Sequence, residues 1–506
     1  MNFAGFLEMH ARGQPDALAV VDRRQRLSYA ELDREASCFA DHLRELGLSE
    51  SDRVAVYMPN RAEMVIALLG TMKFGAIAVP LNWRLATADL IAPLAHLAPS
   101  LIVTTVELSG NLPEGCRTLV CGESHGEGTF WQALAGRDNR FKSVGRQSTD
   151  IANLLMTSGT TSVPKAAIHT HGMRVAIAAT MADCFEMSCR DIGLAISPLF
   201  HTGGFSVFAN AIFCGGALVL QEKWNVEEFV RLVATERVTF LHLVTTLVVD
   251  IVRADANLFE GLDKTIRFTW GGGHSADPGL FEEFERRIGG TFSQGYSRTE
   301  GGITYNPIDR AKRSFINNGI PNRNNSLIAI LDESTSYPRS DGKMGEIAVA
   351  GDGVSPGYWD RDKVVSISAK GGLWQPTGDL GRFDDNGALV FVGREDHLIK
   401  TGGENVYPSE VSDVLLALDG VSDAVVVGVP DERLGQCVAA LVVPASDDIS
   451  PESIRQICRR SLAGFKVPKH ISLVPSLPRL GSGKVDLAAC NRFLKDRMAE
   501  TTSAAC

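Results

Sequence analysis

The sequence predicts an α/β protein with a smaller α+β unit at its C-terminal end. Three observations carry the prediction. Short apolar, strand-like runs alternate with helical windows up to about residue 317. Beyond Asn317 short strands dominate, punctuated by Asp-Gly, Asn-Gly and glycine-rich turns. From about Glu395 the chain reads as a compact tail of mixed helices and strands. At 506 residues it is long for one domain; roughly 150 residues per domain gives about three units.

The elements follow in order. Ser28-Tyr29-Ala30-Glu31 is a capping-box pattern, opening a helix to about Leu48. Leu32, Ala36, Phe39, Ala40 and Leu43 fall on one face of that helix. Residues 54–58 and 101–105 read as short buried strands. The most apolar stretch, residues 65–81, holds Gly70, Lys73, Gly75 and Pro80. It is too broken to span a membrane and reads as a buried helix running into a strand. Further strands are expected at 151–157, 192–196, 217–221, 240–243 and 266–270, with helices at 226–235 and 278–288. The second texture places strands at 326–331, 346–350 and 388–392. In the tail, helices are expected at 409–418 and 451–463, and strands at 423–429, 437–443 and 471–474. No internal repeat appears, and residues 499–506 are small, polar and expected to fray.

Composition excludes several classes. Hydrophobic residues make up 44% and charged residues 22%, which argues against a disordered, collagenous or coiled-coil chain. Fifty basic against sixty acidic residues give a net charge of −10. No long basic run supplies an electrostatic footprint for nucleic acid. The ten cysteines form no CxxC pair, which suits reduced thiols in the cytoplasm better than a metal site. The N-terminus has no basic region followed by an unbroken apolar core, so no secretory signal is expected.

Several segments carry chemistry. Leu154 to Lys165 reads LLMTSGTTSVPK: a strand ends in hydroxyls around a glycine, and a lysine follows. Thr157, Ser158, Thr160 and Thr161 offer neutral donors, Gly159 allows close backbone approach, and Lys165 adds a point charge. Such a turn suits a polyphosphate or is a plain surface loop. It is not the GxxxxGK[ST] phosphate loop. Gly271-Gly272-Gly273 after Trp270 would admit a flat ring or a substrate chain, or form a simple loop. Gln294 to Glu300 reads QGYSRTE. Tyr296 can stack on a base, Thr299 can donate to phosphate, and Glu300 can hold a hard cation such as Mg²⁺. Asp379 and Arg394 can bind a diol or stand as a solvated pair. Gly402-Gly403-Glu404 is a second glycine-rich turn, and Lys484 lies in a flexible Gly-Ser-Gly-Lys loop.

Taken in order, TSGTTSVPK, YSRTE, TGD, GREDHLIKTGGENVYPSEV and GK resemble the adenylate-forming superfamily of acyl- and aryl-CoA ligases, adenylation domains and firefly-type luciferases. The resemblance runs from Leu27 to Lys484. It implies a large N-terminal domain, residues 1–394, of several subdomains: mixed sheets packed with helices and a small β-barrel-like part. It implies a mobile α+β lid at 395–506. It also implies two half-reactions: a carboxylate attacks the α-phosphate of MgATP, then the thiol of coenzyme A displaces AMP.

Carried over residue by residue, Thr157, Ser158, Gly159, Thr160, Thr161 and Lys165 would form the phosphate loop. Thr299 would bind phosphate and Glu300 Mg²⁺. Tyr296 and Gly271, Gly272 and Gly273 would shape the adenine and acyl pockets. Asp379 and Arg394 would hold the ribose, and Lys484 would be the catalytic lysine. Asp396 would be the hinge, and Gly402, Gly403, Glu404 and Phe465 would line the thioester-forming face. The segment PLFHTGGF resembles acyl- and aryl-CoA ligases, which makes His201 the gate of an acyl pocket shared with Thr202, Gly272, Ser297, Gly302 and Ile303. Ser162, Ser297, His397 and Asp486 depart from the family pattern.

The resemblance therefore implies an AMP-forming acid–CoA ligase in the cytoplasm, with ATP, Mg²⁺ and coenzyme A. Ser297 leaves the pocket open, which favours an aryl or medium-sized aliphatic acid over acetate. Arg298 suggests a dicarboxylate, a weaker reading because that slot varies in the family. No amine-pairing aspartate and no carrier segment are found. The alternatives are a stand-alone enzyme loading a carrier protein and a non-catalytic nucleotide-binding relative. The resemblance allows a homodimer and calls for no nucleic acid and no transmembrane segment.

Overall fold

A computed structural model describes residues 1–137, 140–157, 165–272, 278–307, 314–315, 317–322, 327–361, 363–445, 449–479 and 485–503. The chain forms two compact units. The first comprises Met1–Gly272, Glu283–Ile328 and Val349–Gln375; the second comprises Gly273–Glu282, Ala329–Ala348 and Pro376–Cys506.

The first unit is built on two sheets. In the eight-stranded sheet, Ile151–Met156, Ile77–Pro80, Arg53–Tyr57, Leu101–Thr105 and Thr118–Cys121 are consecutive parallel neighbours. Ala166–Thr170 then returns antiparallel beside Ile151–Met156. The seven-stranded sheet runs Thr291–Gln294, Phe268–Gly272, Phe240–Val244, Ile192–Ala195, Ala217–Leu220, Leu18–Val21 and Arg26–Ser28, parallel except for the last. The core contains Val54 and Val56 of the first sheet and Val20, Ala195 and Leu218 of the second. The same core holds Phe39, Leu68 and Phe205 from three helices. Burying each such large side chain contributes about 1.5–3 kcal/mol.

Local chemistry explains the elements. Ser28 accepts from the amide of Glu31, whose carboxylate accepts from the amide of Ser28, closing the expected capping box on the helix Tyr29–Glu45. The apolar stretch is the helix Ala62–Phe74, buried at every residue, stopped by Gly75 in the left-handed region, then the strand Ile77–Pro80. Lys73 is fully buried in that helix. Its ammonium donates to Glu8 at 2.8 Å and Asp33 at 2.7 Å, so one charge ties three helices.

One expectation is corrected. The strand expected at 266–270 is Phe268–Gly272, so Gly271 and Gly272 belong to the sheet rather than to a following loop. A Cβ on Gly271 would lie 1.9 Å from the carbonyl oxygen of Leu243 on the neighbouring strand. Glycine here marks close backbone approach, not a turn.

A four-stranded sheet of Leu327–Leu331, Gly345–Ala350, Gln375–Phe383 and Leu389–Arg394 lies mostly in the second unit; Leu327, Ile328, Val349, Ala350 and Gln375 are assigned to the first. The second unit's five-stranded sheet contains Ile399–Thr401, Glu404–Val406, Val421–Asp431, Gly435–Pro444 and His470–Leu473. The helices Pro408–Leu416 and Pro451–Ser461 cover it through Val411, Leu415, Ile454 and Cys458. Asp486, one of the departures, accepts from the amide of Ala489 and caps the last helix, Leu487–Ser503.

Candidate active site

In open parallel sheets, ligands bind outside the carboxyl ends of strands, where strand order reverses. In the seven-stranded sheet that reversal lies at Ile192–Ala195: the next strand, Ala217–Leu220, pairs on one side and Phe240–Val244 on the other. Ser197 and His201 follow the first of these strands, Gly271 and Gly272 end another, and Tyr296 follows Thr291–Gln294. Thr157 follows the strand Ile151–Met156 of the other sheet. These expected site residues thus sit at or just beyond the carboxyl ends of strands. A cleft of about 650 Å³ lined by Asp52, Ser100 and Arg117 lies instead where strands begin, and holds none of them.

In the first unit, the YSRTE segment is held on every side. The amide of Tyr296 donates to the hydroxyl of Thr304 at 2.8 Å, and Thr304 returns a bond to the Tyr296 carbonyl at 3.0 Å. His169 bonds the carbonyl of Thr299 through Nε2 at 2.7 Å. A carbonyl only accepts, so Nε2 is the donor in this bond. The buried Glu300 carboxylate accepts from the Tyr358 hydroxyl at 2.6 Å and pairs with Arg298 at 3.3 Å. Lys165 stands over the Tyr358 ring at 5.1 Å, and its carbonyl accepts from the amide of Thr157 at 2.8 Å. Lysine, tyrosine, glutamate and arginine are therefore linked side by side. The carboxylate oxygens of Glu300 suit a hard cation. The Arg298 side chain, a possible partner for a dicarboxylate, is engaged with Glu300.

Of the residues expected around the acyl group, His201, Thr202 and Gly272 are half-buried, and Gly302 and Ile303 are buried. His201 immediately precedes the helix Thr202–Cys214, and its ring lies 4.3 Å from that of Phe200. Gly302 has a positive φ of 83°, and a Cβ there would lie 2.5 Å from Val349. Ser297 is exposed and bridges to Ile303, which is packed in the core with Trp270. Ser158, Gly159, Thr160, Thr161, Gly273 and Lys484 lie outside the described residues.

In the second unit, Asp379 and Arg394 are register partners on adjacent antiparallel strands, 3.5 Å apart. Asp379 is buried, and Arg394 also donates to Asp396 at 2.9 Å. Asp396 lies in the short turn Glu395–His397. Burial holds the neighbouring His397 below the usual imidazole range, with Asp396 opposing. Gly402 and Gly403, both at positive φ, make the two-residue turn between Ile399–Thr401 and Glu404–Val406. The latter strand lies against the turn Gly464–Lys466, which carries the exposed Phe465.

Residues 7–359 match the family model described as AMP-binding enzyme, and residues 410–484 match its C-terminal domain. The chain belongs to the AMP-binding enzyme family. It therefore lies in the adenylate-forming superfamily, as the motifs implied. The 2-succinylbenzoate–CoA ligase of Bacillus mycoides is 30% identical over 93% of this chain and 94% of that one. ATP-bound MatB from Rhodopseudomonas palustris is 27% identical, with a TM-score of 0.89 over 98% of this chain and 99% of that one. O-succinylbenzoate coenzyme A synthetase from Bacillus subtilis, in complex with ATP and magnesium ion, is 26% identical, with a TM-score of 0.81 over 97% and 99%. In this AMP-binding enzyme, Tyr358, which donates to Glu300, and His242, whose ring lies 4.7 Å from that of Trp270, are not marked by the motifs. The signal for His242 is an imidazole inside the otherwise apolar Phe240–Val244; Tyr358 has none beyond its ring.

Proposed function

We propose that the chain is an AMP-forming acid–CoA ligase acting on an aryl or medium-sized aliphatic carboxylic acid. The observation that carries this is Glu300, a buried carboxylate held by Tyr358 and Arg298 beside Lys165 and the Thr157 turn. Together these groups suit a polyphosphate on its metal. Lys165 and the hydroxyl-rich turn bind phosphate, and Glu300 is the residue that would hold Mg²⁺. When bound, the ion neutralises phosphate charge.

The chemistry needs positioning more than reactive groups. A carboxylate oxygen of the acid attacks the α-phosphorus of ATP, the bond to the β-phosphate oxygen breaks, and pyrophosphate leaves. Lys484 would face the carboxylate and α-phosphate during this step. The thiol of coenzyme A then loses its proton and attacks the acyl carbon, and AMP leaves with the carboxylate oxygen. Asp379 and Arg394 would hold the ribose. Residues 395–506 would turn at Asp396, withdrawing Lys484 and presenting Gly402, Gly403, Glu404 and Phe465. His201, Thr202, Gly272, Ser297, Gly302 and Ile303 would surround the acyl group. We place the enzyme in the cytoplasm, which the nine described cysteines, all free thiols, support.

A panel of carboxylic acids with ATP and coenzyme A, read by mass spectrometry, tests the reading. Acyl-CoA and AMP are expected from at least one aryl or medium-chain acid. Acyl transfer only to a pantetheinylated carrier protein would assign the alternative acceptor. No pyrophosphate release with any acid would overturn the ligase reading.

A further inference from the structure

His242 is an imidazole that the proposed chemistry does not use, placed where the acyl group would lie. It follows Phe240 and Leu241 on a core strand, and its register partner on the next strand is Trp270. The two rings are 4.7 Å apart. On its other side the His242 ring lies against Gly203, in the first turn of the helix Thr202–Cys214. A Cβ on Gly203 would stand 2.1 Å from its Cε1, so only glycine lets the ring dock there. Ser197 reaches Nδ1 at 3.4 Å and can also donate to the His242 carbonyl at 3.4 Å. The ring is thus fixed by three segments, two of which flank the acyl pocket.

Its chemistry is specific. Burial pushes the His242 pKa down to about 4, although part of the residue stays accessible, so the ring is neutral at pH 7. A neutral imidazole offers one donor and one acceptor and no charge. Beside it, the indole Nε1–H of Trp270 is buried and meets no acceptor among the described residues. The hydroxyl of Thr202, next to Gly203, is also buried without a partner among them. Buried polar atoms without partners cost about 1–3 kcal/mol each.

We propose that His242, with Trp270 and Thr202, selects acids that carry a neutral hydroxyl remote from the reacting carboxylate, and that this hydroxyl pairs with the imidazole. The proposal rests on the ligase reading, which puts the acyl chain between the His201 turn and Gly272. A plain alkyl or aryl acid would leave the polar atoms unpaired. The neutral imidazole would offer a second carboxylate no positive charge. A hydroxyl can both accept and donate, matching an indole donor and an imidazole of either tautomer. Sites built to bond a substrate hydroxyl reject the analogue lacking it strongly.

Matched acids test this: hydroxybenzoates against benzoate, hydroxycinnamates against cinnamate, and terminally hydroxylated medium-chain acids against their parents. In the wild-type enzyme, kcat/KM for the best hydroxy acid is expected to exceed that of its deoxy partner at least ~10-fold. His242→Phe should collapse that ratio toward one, and His242→Gln should retain part of it. Equal or better use of the deoxy acid in every wild-type pair would overturn the proposal, even if both variants fail to fold. An unchanged ratio in a folded His242→Phe enzyme would also overturn it. Thioesters formed without hydroxyl preference defeat this inference alone; no thioester from any acid defeats the ligase reading with it.

Discussion

At the residue scale, Glu300 joins the phosphate side of the site to its supports. Its charge is held by a tyrosine hydroxyl at 2.6 Å and an arginine at 3.3 Å. Glu300→Gln keeps the shape and removes the charge. Adenylation is expected to fall ~10²-fold or more, the usual cost of losing one transition-state electrostatic partner. The Mg²⁺ concentration for half-maximal rate should rise. Tyr358→Phe should cost less than ~10-fold, because the carboxylate keeps Arg298. Pyrophosphate release across a Mg²⁺ titration checks both. A Glu300→Gln enzyme with wild-type Mg²⁺ dependence would remove Glu300 from the metal's neighbourhood. The motif made Glu300 legible, but Tyr358 comes from a strand some 58 residues later in the chain. A lone Gly-Tyr-Trp has no spacing that announces such a contact.

At the scale of elements, helix starts and buried strands were readable because local chemistry decides them. Ser28 and Glu31 form their capping box, and Gly75 stops the buried helix. The Gly271-Gly272 run was read past its strand because the reason for glycine is non-local, the carbonyl of Leu243 on the next strand. Lys73 is a similar case. In sequence it breaks an apolar run; in the fold it holds Glu8 and Asp33. Burial pushes the Glu8 carboxyl up, but the Lys73 bond and the Ser143 amide bring it below its usual range. Lys73→Met leaves two partly buried carboxylates facing each other's neighbourhood. It should destabilise the first unit by about 3 kcal/mol, the usual cost of stripping one partner from a buried pair. Urea denaturation reads the loss; an unchanged midpoint would mean the ammonium carries no net stabilisation.

At the scale of the whole molecule, both protonation and the two half-reactions give readouts. His171 is fully buried, and the amide of Phe3 donates to its Nδ1 at 3.1 Å. Burial, with Arg146 and the N-terminal ammonium, lowers its pKa to about 4, against Asp150. The folded value lies below the free value, so the unfolded chain binds the proton first as pH falls. Stability from this group is complete above about pH 6.5 and declines as pH falls to about 4, by a few kcal/mol in total. Denaturation midpoints between these limits should flatten in His171→Gln relative to wild type; parallel curves would exclude His171 as the source.

Motif order implies a division at residue 394, whereas the second compact unit also takes in Gly273–Glu282, Ala329–Ala348 and the chain from Pro376; the turn at Asp396 is a proposal. Asp396→Pro, which fixes the backbone φ, should slow thioester formation more than adenylation. Asp396→Ala separates this effect from loss of the Arg394 bond. Equal losses in both half-reactions would place the hinge elsewhere. The central claim is that the acid's own oxygen becomes part of AMP. An acid labelled with ¹⁸O in its carboxylate, incubated with ATP, Mg²⁺ and coenzyme A, measures this directly. The account predicts one ¹⁸O in the phosphate of AMP for each thioester formed. Unlabelled AMP, or label in pyrophosphate or inorganic phosphate, would contradict it.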